Sequence, residues 1–301
     1  MSAPAGTRTP EVRAGATLAD PRRPTWRRSA LGRFLSDPGA VVGVVILLLL
    51  AILAVVGPPL AGDPLAQDVP NRLRPPSGAH WFGTDELGRD VFARVVSGAP
   101  VSLTAGLVSV ALGLAAGATA GAVAGYVEGR TGTIVMALVD VLLALPAILL
   151  AIAVAARVGT GLPAAMVAAA MVGLPGYARL ARASTLAVKR REMIDAARAL
   201  GASDARILAR HIAPNIAGPL IVQTTVGVGS AILLVAALGF LGVGAQPPTP
   251  EWGRMLADAQ RSITAAPWAG IFPGLAITLT VLGFNLAGDG LREALDPGSR
   301  R

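Results

Sequence analysis

The spacing of ionised side chains restricts what this chain can fold into more than any other feature. A bilayer core about 30 Å thick takes about 20 apolar residues of helix and admits few charges, because an ionised group there loses its hydration. Six intervals are long enough: between Asp37 and Asp63, Arg94 and Glu128, Arg130 and Arg157 (with Asp140 inside), Arg157 and Arg179, His211 and Glu251, and Arg261 and Asp289. Hydrophobic residues at 53%, charged residues at 15% and 36 glycines lie outside the range of a soluble globular domain. The mean hydropathy of +0.61 agrees. The expected fold class is all-α integral membrane, with six transmembrane helices. The first apolar run, 41–60, is too long and too far from the N-terminus for the core of a cleaved export signal, so it is expected to remain as an anchor.

Orientation follows from lysine and arginine, which stay on the cytoplasmic flanks of membrane helices. Of the 26 such residues, Arg72, Arg74, Arg89, Arg94, Arg157, Arg254 and Arg261 fall on one side of the bundle and all the others on the opposite side. With an even number of spans, both termini and the loop after the fourth span are expected in the cytoplasm. The net charge of +8 thereby has an explanation in topology, and no nucleic-acid partner is expected. Residues 1–29, rich in Pro, Arg, Thr, Ala and Gly without periodicity, are expected to form a disordered basic cytoplasmic tail.

Within the spans, Gly113, Gly117, Gly121 and Gly125 make three successive GxxxG units, which let a neighbouring backbone approach closely. Packing inside the same subunit is expected of them. In the third span Pro146 is expected to kink the helix, and Asp140 lies about two turns from the cytoplasmic end. A lone carboxylate with no His, Lys or second acid in the span suits a helix-packing contact better than a proton relay. Gln223, Thr224 and Thr225 in the fifth span and Thr278, Thr280 and Asn285 in the sixth suit either hydrogen bonds between helices or the lining of a wet passage.

The loop after the fourth span reads EMIDAARALGASDARILARHIAPN, residues 192–215. Residues 192–200 are good helix formers, and Gly201 follows as a left-handed C-terminal cap. Ser203 is placed to accept from the amides of a next turn, Asp204 suits a positive helix N-terminus, and Pro214 is expected to end the second short helix near Ala213. Met193, Ala196, Ala197 and Leu200 share one helical face, and Glu192 and Asp195 share another with Arg198. Such a unit suits a groove on a partner. It resembles the EAA loop of bacterial ABC importer permeases, through Asp195, Ala196, Ala197, Gly201 and Pro214. Asp stands at 195 where the family has Glu, and His211 and Ala213 depart from the aliphatic pattern. The resemblance implies a cytoplasmic coupling helix between spans four and five, docked in a cleft of an ATPase subunit through Glu192, Asp195, Ala196, Ala197, Leu200, Gly201 and Pro214.

A second stretch, HWFGTDELGRDVFARVVSGAPVSL at residues 80–103, is similar to the segment before the core helices in the dipeptide and oligopeptide branch of these permeases, with Gly83 to Asp90 all fitting. Thr84 or Asp85 is expected to cap the following helix, and Val91, Val95 and Val96 to lie on the membrane surface. PGYARLARA at 175–183 and NLAGDGLREALDP at 285–297 look like the same branch. The implied layout is a first transmembrane helix and external loop at 30–99, then a core permease domain at 100–297. The implied partners are a second homologous permease subunit, two cytoplasmic ABC ATPase subunits, an extracytoplasmic solute-binding protein and membrane lipid.

No GxxxxGK[ST] phosphate loop is present, and the single lysine, Lys189, sits in a basic run. There are no cysteines, His80 and His211 lie in unrelated segments, and no GxSxG elbow occurs. The chain is therefore read as non-catalytic, without a metal or cofactor of its own and with ATP bound by partners. The expected function is a peptide-importing ABC permease subunit, with nickel or glutathione import as alternatives within the family. An ion-coupled secondary carrier using Asp140 is the alternative from another class.

Overall fold

In the computed structural model, residues 30–295 are described, so the reading of 1–29 as a disordered tail lies outside the described residues. A short helix α1 (Ala30–Ser36) leads into α2 (Pro38–Leu60). Asp37 caps α2, its carboxylate accepting the Gly39 amide at 2.9 Å, and Pro38 occupies the first turn, where no amide is needed. Gly43 of α2 meets α11 (Trp268–Leu295) backbone to backbone, since a methyl added there would lie 2.6 Å from the Ala287 nitrogen and 2.8 Å from the Gly283 carbonyl oxygen. Arg33 of α1 donates to the Ala294 carbonyl at 3.1 Å, so the two ends of the described chain lie together.

Residues 61–90 carry one 3-10 turn, Val69–Asn71, and are held by side-chain hydrogen bonds. The Thr84 hydroxyl donates to the Asn71 carbonyl and accepts the Arg74 amide, and the Asp85 carboxylate accepts the amides of Leu87 and Arg89. Both candidate caps are thus spent inside the loop. The helix α3 (Val91–Val127) is capped instead by Asp90, which accepts the Ala93 amide at 2.9 Å and faces His80 Nδ1 at 2.8 Å. Val91, Val95 and Val96 are not on a membrane surface either. They are buried, and Val91 and Val95 pack against Trp252 and Met255 of α10 (Trp252–Ala259) and Ala269, Ala276 and Ile277 of α11. An apolar helix face looks the same in sequence whether lipid or protein covers it.

The third apolar interval is not one kinked helix. It forms α4 (Gly129–Leu143) and α5 (Ala147–Val158), bent by 100° at a break before Pro146. Pro146 has no amide to donate back, its ring clashes with the carbonyl four residues earlier, and Leu145 is pushed out of the helical region. The remaining long helices are α6 (Leu162–Lys189), α9 (Ala213–Phe240) and α11. Five described helices are long and apolar enough to cross a membrane, or six if α4 and α5 form one span. α3 runs unbroken through residues 99 and 100, so the expected division between outer loop and core falls inside a helix.

At one end of the bundle α10 is locked in place by Trp252, fully buried, whose Nε1 donates to the Val95 carbonyl at 2.9 Å. Burying a side chain of this size is worth about 3 kcal/mol. The hydroxyls of Thr224, Thr225, Thr278 and Thr280 donate to carbonyls four residues earlier, so their protons are used within their own helices.

Candidate coupling site

At the other end, α6 finishes at Lys189 and the chain turns through Arg190 and Arg191 into α7 (Glu192–Ala199). The turn after α7 is a Schellman cap: the Gly201 amide donates to the Arg198 carbonyl at 2.9 Å and the Ala202 amide to the Ala197 carbonyl at 3.0 Å. Gly201 has φ +77°, in the left-handed region. A methyl there would meet nothing within 4 Å, so glycine serves the backbone conformation and not a close approach.

α7 is pinned by Ile194, 0% exposed, and Ala197, 7% exposed, which pack in one core with Tyr126 of α3, Val188 of α6, Ile207 of α8 (Asp204–Ile207) and Ile212. Ala197 therefore faces inward, apart from the other residues expected on the docking face. Glu192, Asp195, Ala196, Leu200, Gly201 and Pro214 are exposed, Leu200 at 88%. Among the described large apolar residues Leu200 is the most exposed. Ile194 was legible only as one more apolar residue of a short helix, whereas the structure makes it the anchor.

Two local expectations are corrected. The Ser203 hydroxyl makes no cap hydrogen bond, and the first turn of α8 is closed by the Ile207 amide donating to the Ser203 carbonyl at 2.9 Å. Pro214 does not end the helix. Residues Leu208–Ile212 widen into a π turn in which the Ala213 amide donates to the Leu208 carbonyl, and Pro214 then enters at the start of α9, where a missing amide costs nothing.

Around this unit lies a polar network that the sequence did not disclose. The Tyr126 hydroxyl donates to Asp204 at 2.5 Å, and Lys189 Nζ donates to the Tyr126 carbonyl and to Glu128 Oε1, each at 2.6 Å. Lys189 and Arg198 approach the Tyr126 ring, 5.4 Å and 5.7 Å from its centroid. The Lys189 hydrogen bond, and then its charge, hold the Glu128 carboxyl below the usual carboxylate range. The partners stand more than sixty residues apart in sequence, and no local spacing signals them.

The packing glycines all face α6. Methyls at Gly113 and Gly125 would lie 2.9 Å and 2.8 Å from the carbonyl oxygens of Ala170 and Arg182, and methyls at Gly117 and Gly121 would overlap those of Leu174 and Ala178. The two series advance together in steps of four, so α3 and α6 run parallel. Asp140 of α4 is exposed on the side of α6 and accepts from Arg179 at 2.7 Å. The structure thus brings the residues expected to dock to one end of the bundle and the glycines to one seam, with Asp140 paired beside it.

These features define a multi-pass membrane protein, helical throughout its described spans, with an exposed helical hairpin built between two of its long helices. Residues 117–301 match the family described as "Binding-protein-dependent transport system inner membrane component", and residues 25–76 match the "N-terminal TM domain of oligopeptide transport permease C". The chain is 46% identical over 273 residues, 90% of each chain, to the dipeptide transport system permease protein DppC of Alkalihalophilus pseudofirmus. It is 53% identical over 230 residues, 76% of each, to the glutathione transport system permease protein GsiD of Shigella flexneri serotype 5b. It is 46% identical over 262 residues, 87% of this chain and 88% of the relative, to the probable D,D-dipeptide transport system permease protein DdpC of Escherichia coli K12. Among solved structures it shares its fold, at a TM-score of 0.54 and 21% identity, with a chain of the inward-facing MetNI methionine ABC transporter, over 67% of this chain and 96% of that one. The chain belongs to the family of binding-protein-dependent transport system inner membrane components. It is a non-catalytic permease subunit that works with ATPase and substrate-binding partners.

Proposed function

We propose that this subunit imports peptides, and that residues 192–201 form the coupling helix through which a partner ATPase drives it. The observation that carries the reading is the construction of α7: Ile194 is wholly buried and fixes the helix to the bundle, while Glu192, Asp195, Ala196 and the 88%-exposed Leu200 project outward. Leu200 fits a hydrophobic cleft and the carboxylates a basic rim. In this reading both termini and α7 lie in the cytoplasm, the subunit pairs with a second homologous permease, two ATPase subunits dock below, and a solute-binding protein delivers cargo from outside. Closure of the ATPases displaces α7 and the helices attached to it, α6 and α9, and so alternates access to the passage.

The likeness to dipeptide permeases over 90% of the chain favours a dipeptide or short peptide as cargo. The 53% identity to a glutathione permease favours glutathione as the second reading. The test is ATP hydrolysis by the whole complex in lipid, with its binding protein, against dipeptides, longer peptides, glutathione and nickel chelates. Stimulation by dipeptides supports the first reading and stimulation by glutathione the second. ATPase subunits that stay bound to a Leu200→Glu, Asp195→Arg variant would sink the coupling assignment.

A further inference from the structure

We propose that the hydrogen bond from Tyr126 to Asp204 is a latch that sets the separation of the α3/α6 pair from α9, and that Tyr126 is the positioning residue which makes displacement of the coupling helix productive. The inference rests on the reading of 192–201 as the docking element. The glycine seam joins α3 and α6 backbone to backbone, so these two helices form one body. α8, the π turn and α9 form another, continuous from Asp204 to Phe240, which packs on the first further along, where Val228, Ala231 and Ile232 share a core with Val110 and Tyr177. The covalent link between the bodies on this side is the hairpin itself, with Gly201 at its turn.

Between the bodies α3 and α9 part to leave an apolar groove of about 670 Å³, walled by Leu114, Ala118 and Ala122 on α3 and by Leu208, Ile212 and Ile216 on the other side. Tyr126 stands one turn beyond Ala122 and reaches across the end of that groove. Its ring is 6% exposed and shares a core with Ile194, Ala197 and Ile207, and its hydroxyl meets Asp204 Oδ1 at 2.5 Å. Lys189, at the end of α6, holds the Tyr126 carbonyl and Glu128, which fixes the base of the tyrosine to the α3/α6 body. Phenylalanine would fill the same space. What the hydroxyl adds is a directional bond to a charged acceptor on the other body, of the strong class of protein hydrogen bonds. A push on α7 arrives on both sides of the Gly201 turn, and the latch decides whether the two bodies move together or shear apart.

The test uses the full complex reconstituted in lipid, with uptake of a radiolabelled dipeptide and ATP hydrolysis measured together. This chain has no cysteines, so cysteines at Thr119 and Ile221, on opposite walls of the groove, can carry spin labels that report their separation. Tyr126→Phe is expected to lower transport per ATP hydrolysed by about tenfold, the scale of one charge-assisted hydrogen bond, and to broaden the 119–221 distance distribution. Asp204→Ala is expected to do the same from the other body. Asp204→Asn, which keeps an acceptor oxygen but not its charge, is expected to fall between the native values and those of Tyr126→Phe. A Tyr126→Phe complex that matches the native protein in either quantity overturns the latch, as does an Asp204→Asn complex as impaired as Tyr126→Phe. Failure of the docking reading is seen separately, as ATPase subunits that co-purify with the Leu200→Glu, Asp195→Arg variant.

Discussion

Gly121 of α3 lies so close to Ala178 of α6 that a single methyl group at position 121 would overlap the Ala178 carbonyl. The obstacle is backbone, which no rotamer change can move aside. Gly121→Ala is therefore expected to force α3 and α6 apart and to destabilise the subunit by about 2 kcal/mol or more. Gly173→Ala is the matched control on α6, since a methyl there meets only the Tyr177 ring at 3.8 Å. It should be neutral or stabilising by up to about 1 kcal/mol, through helix propensity. Thermal unfolding in detergent, followed by size exclusion, separates the two. Equal melting temperatures for both variants would show that the seam does not depend on glycine.

At Gly201 the constraint is of the opposite kind, with open space but a φ of +77°. Gly201→Ala is expected to cost about 1 kcal/mol of local stability, Gly201→Asn less, and Gly201→Val more, because a left-handed backbone penalises branching at Cβ. Hydrogen exchange across residues 192–203 reads this directly, through the Gly201 and Ala202 amides that close the cap. A flat series, with valine exchanging like asparagine, would mean that the cap does not govern the helix end.

The legible parts of this fold are those set by local chemistry. Charge-free intervals mark where helices run, and a glycine after a run of helix formers marks the left-handed turn at 201. Pro146 was legible as a disturbance but not as a 100° break, because how far a helix bends depends on what packs on either side of it. Pro214 misled for a related reason: the π turn at Leu208–Ile212 starts a new register and absorbs the proline. The face of Val91, Val95 and Val96 was expected on the membrane surface, yet the protein that covers it comes from α10, more than 150 residues later. In the hairpin at 192–215 Gly201 and the exposed Glu192 and Asp195 belong to the local pattern, whereas Tyr126, Lys189 and the anchoring role of Ile194 depend on pairings made only by the folded bundle.

Glu251, 1% exposed, caps α10 and accepts from the Gly253 amide, the Arg254 amide and the Ser102 hydroxyl. Burial raises its pKa above the ordinary value, and those three donors offset part of the rise. The protonated acid is thus favoured in the fold relative to the unfolded chain. Its contribution to stability is fully present below the unfolded pKa and is lost as pH rises through the folded one. As pH rises above the ordinary carboxyl value of about 4.5, the native subunit should lose melting temperature relative to Glu251→Gln, which carries no titrating group there. Parallel curves for the two proteins would show that Glu251 does not titrate in this range.

Asp140 and Arg179 pair at 2.7 Å between α4 and α6, on a face that is open in the isolated subunit. Next to lipid, each of these charges is tolerable mainly because the other is there, since a lone ionised group near the membrane centre costs about 3 kcal/mol and less towards the headgroups. Asp140→Asn or Arg179→Gln should each strand one charge and reduce the amount of folded subunit in the membrane. The exchange Asp140→Arg, Arg179→Asp keeps the pair and should recover most of the loss. A proton-carrying role for Asp140 makes a different demand: transport would fail in the exchanged protein even at native membrane levels, because the carboxylate has moved to another helix. Uptake normalised to the folded subunit in the membrane separates the two. Native uptake per folded subunit in the exchanged protein would assign the pair to packing, and its complete loss would assign Asp140 to the transport step itself.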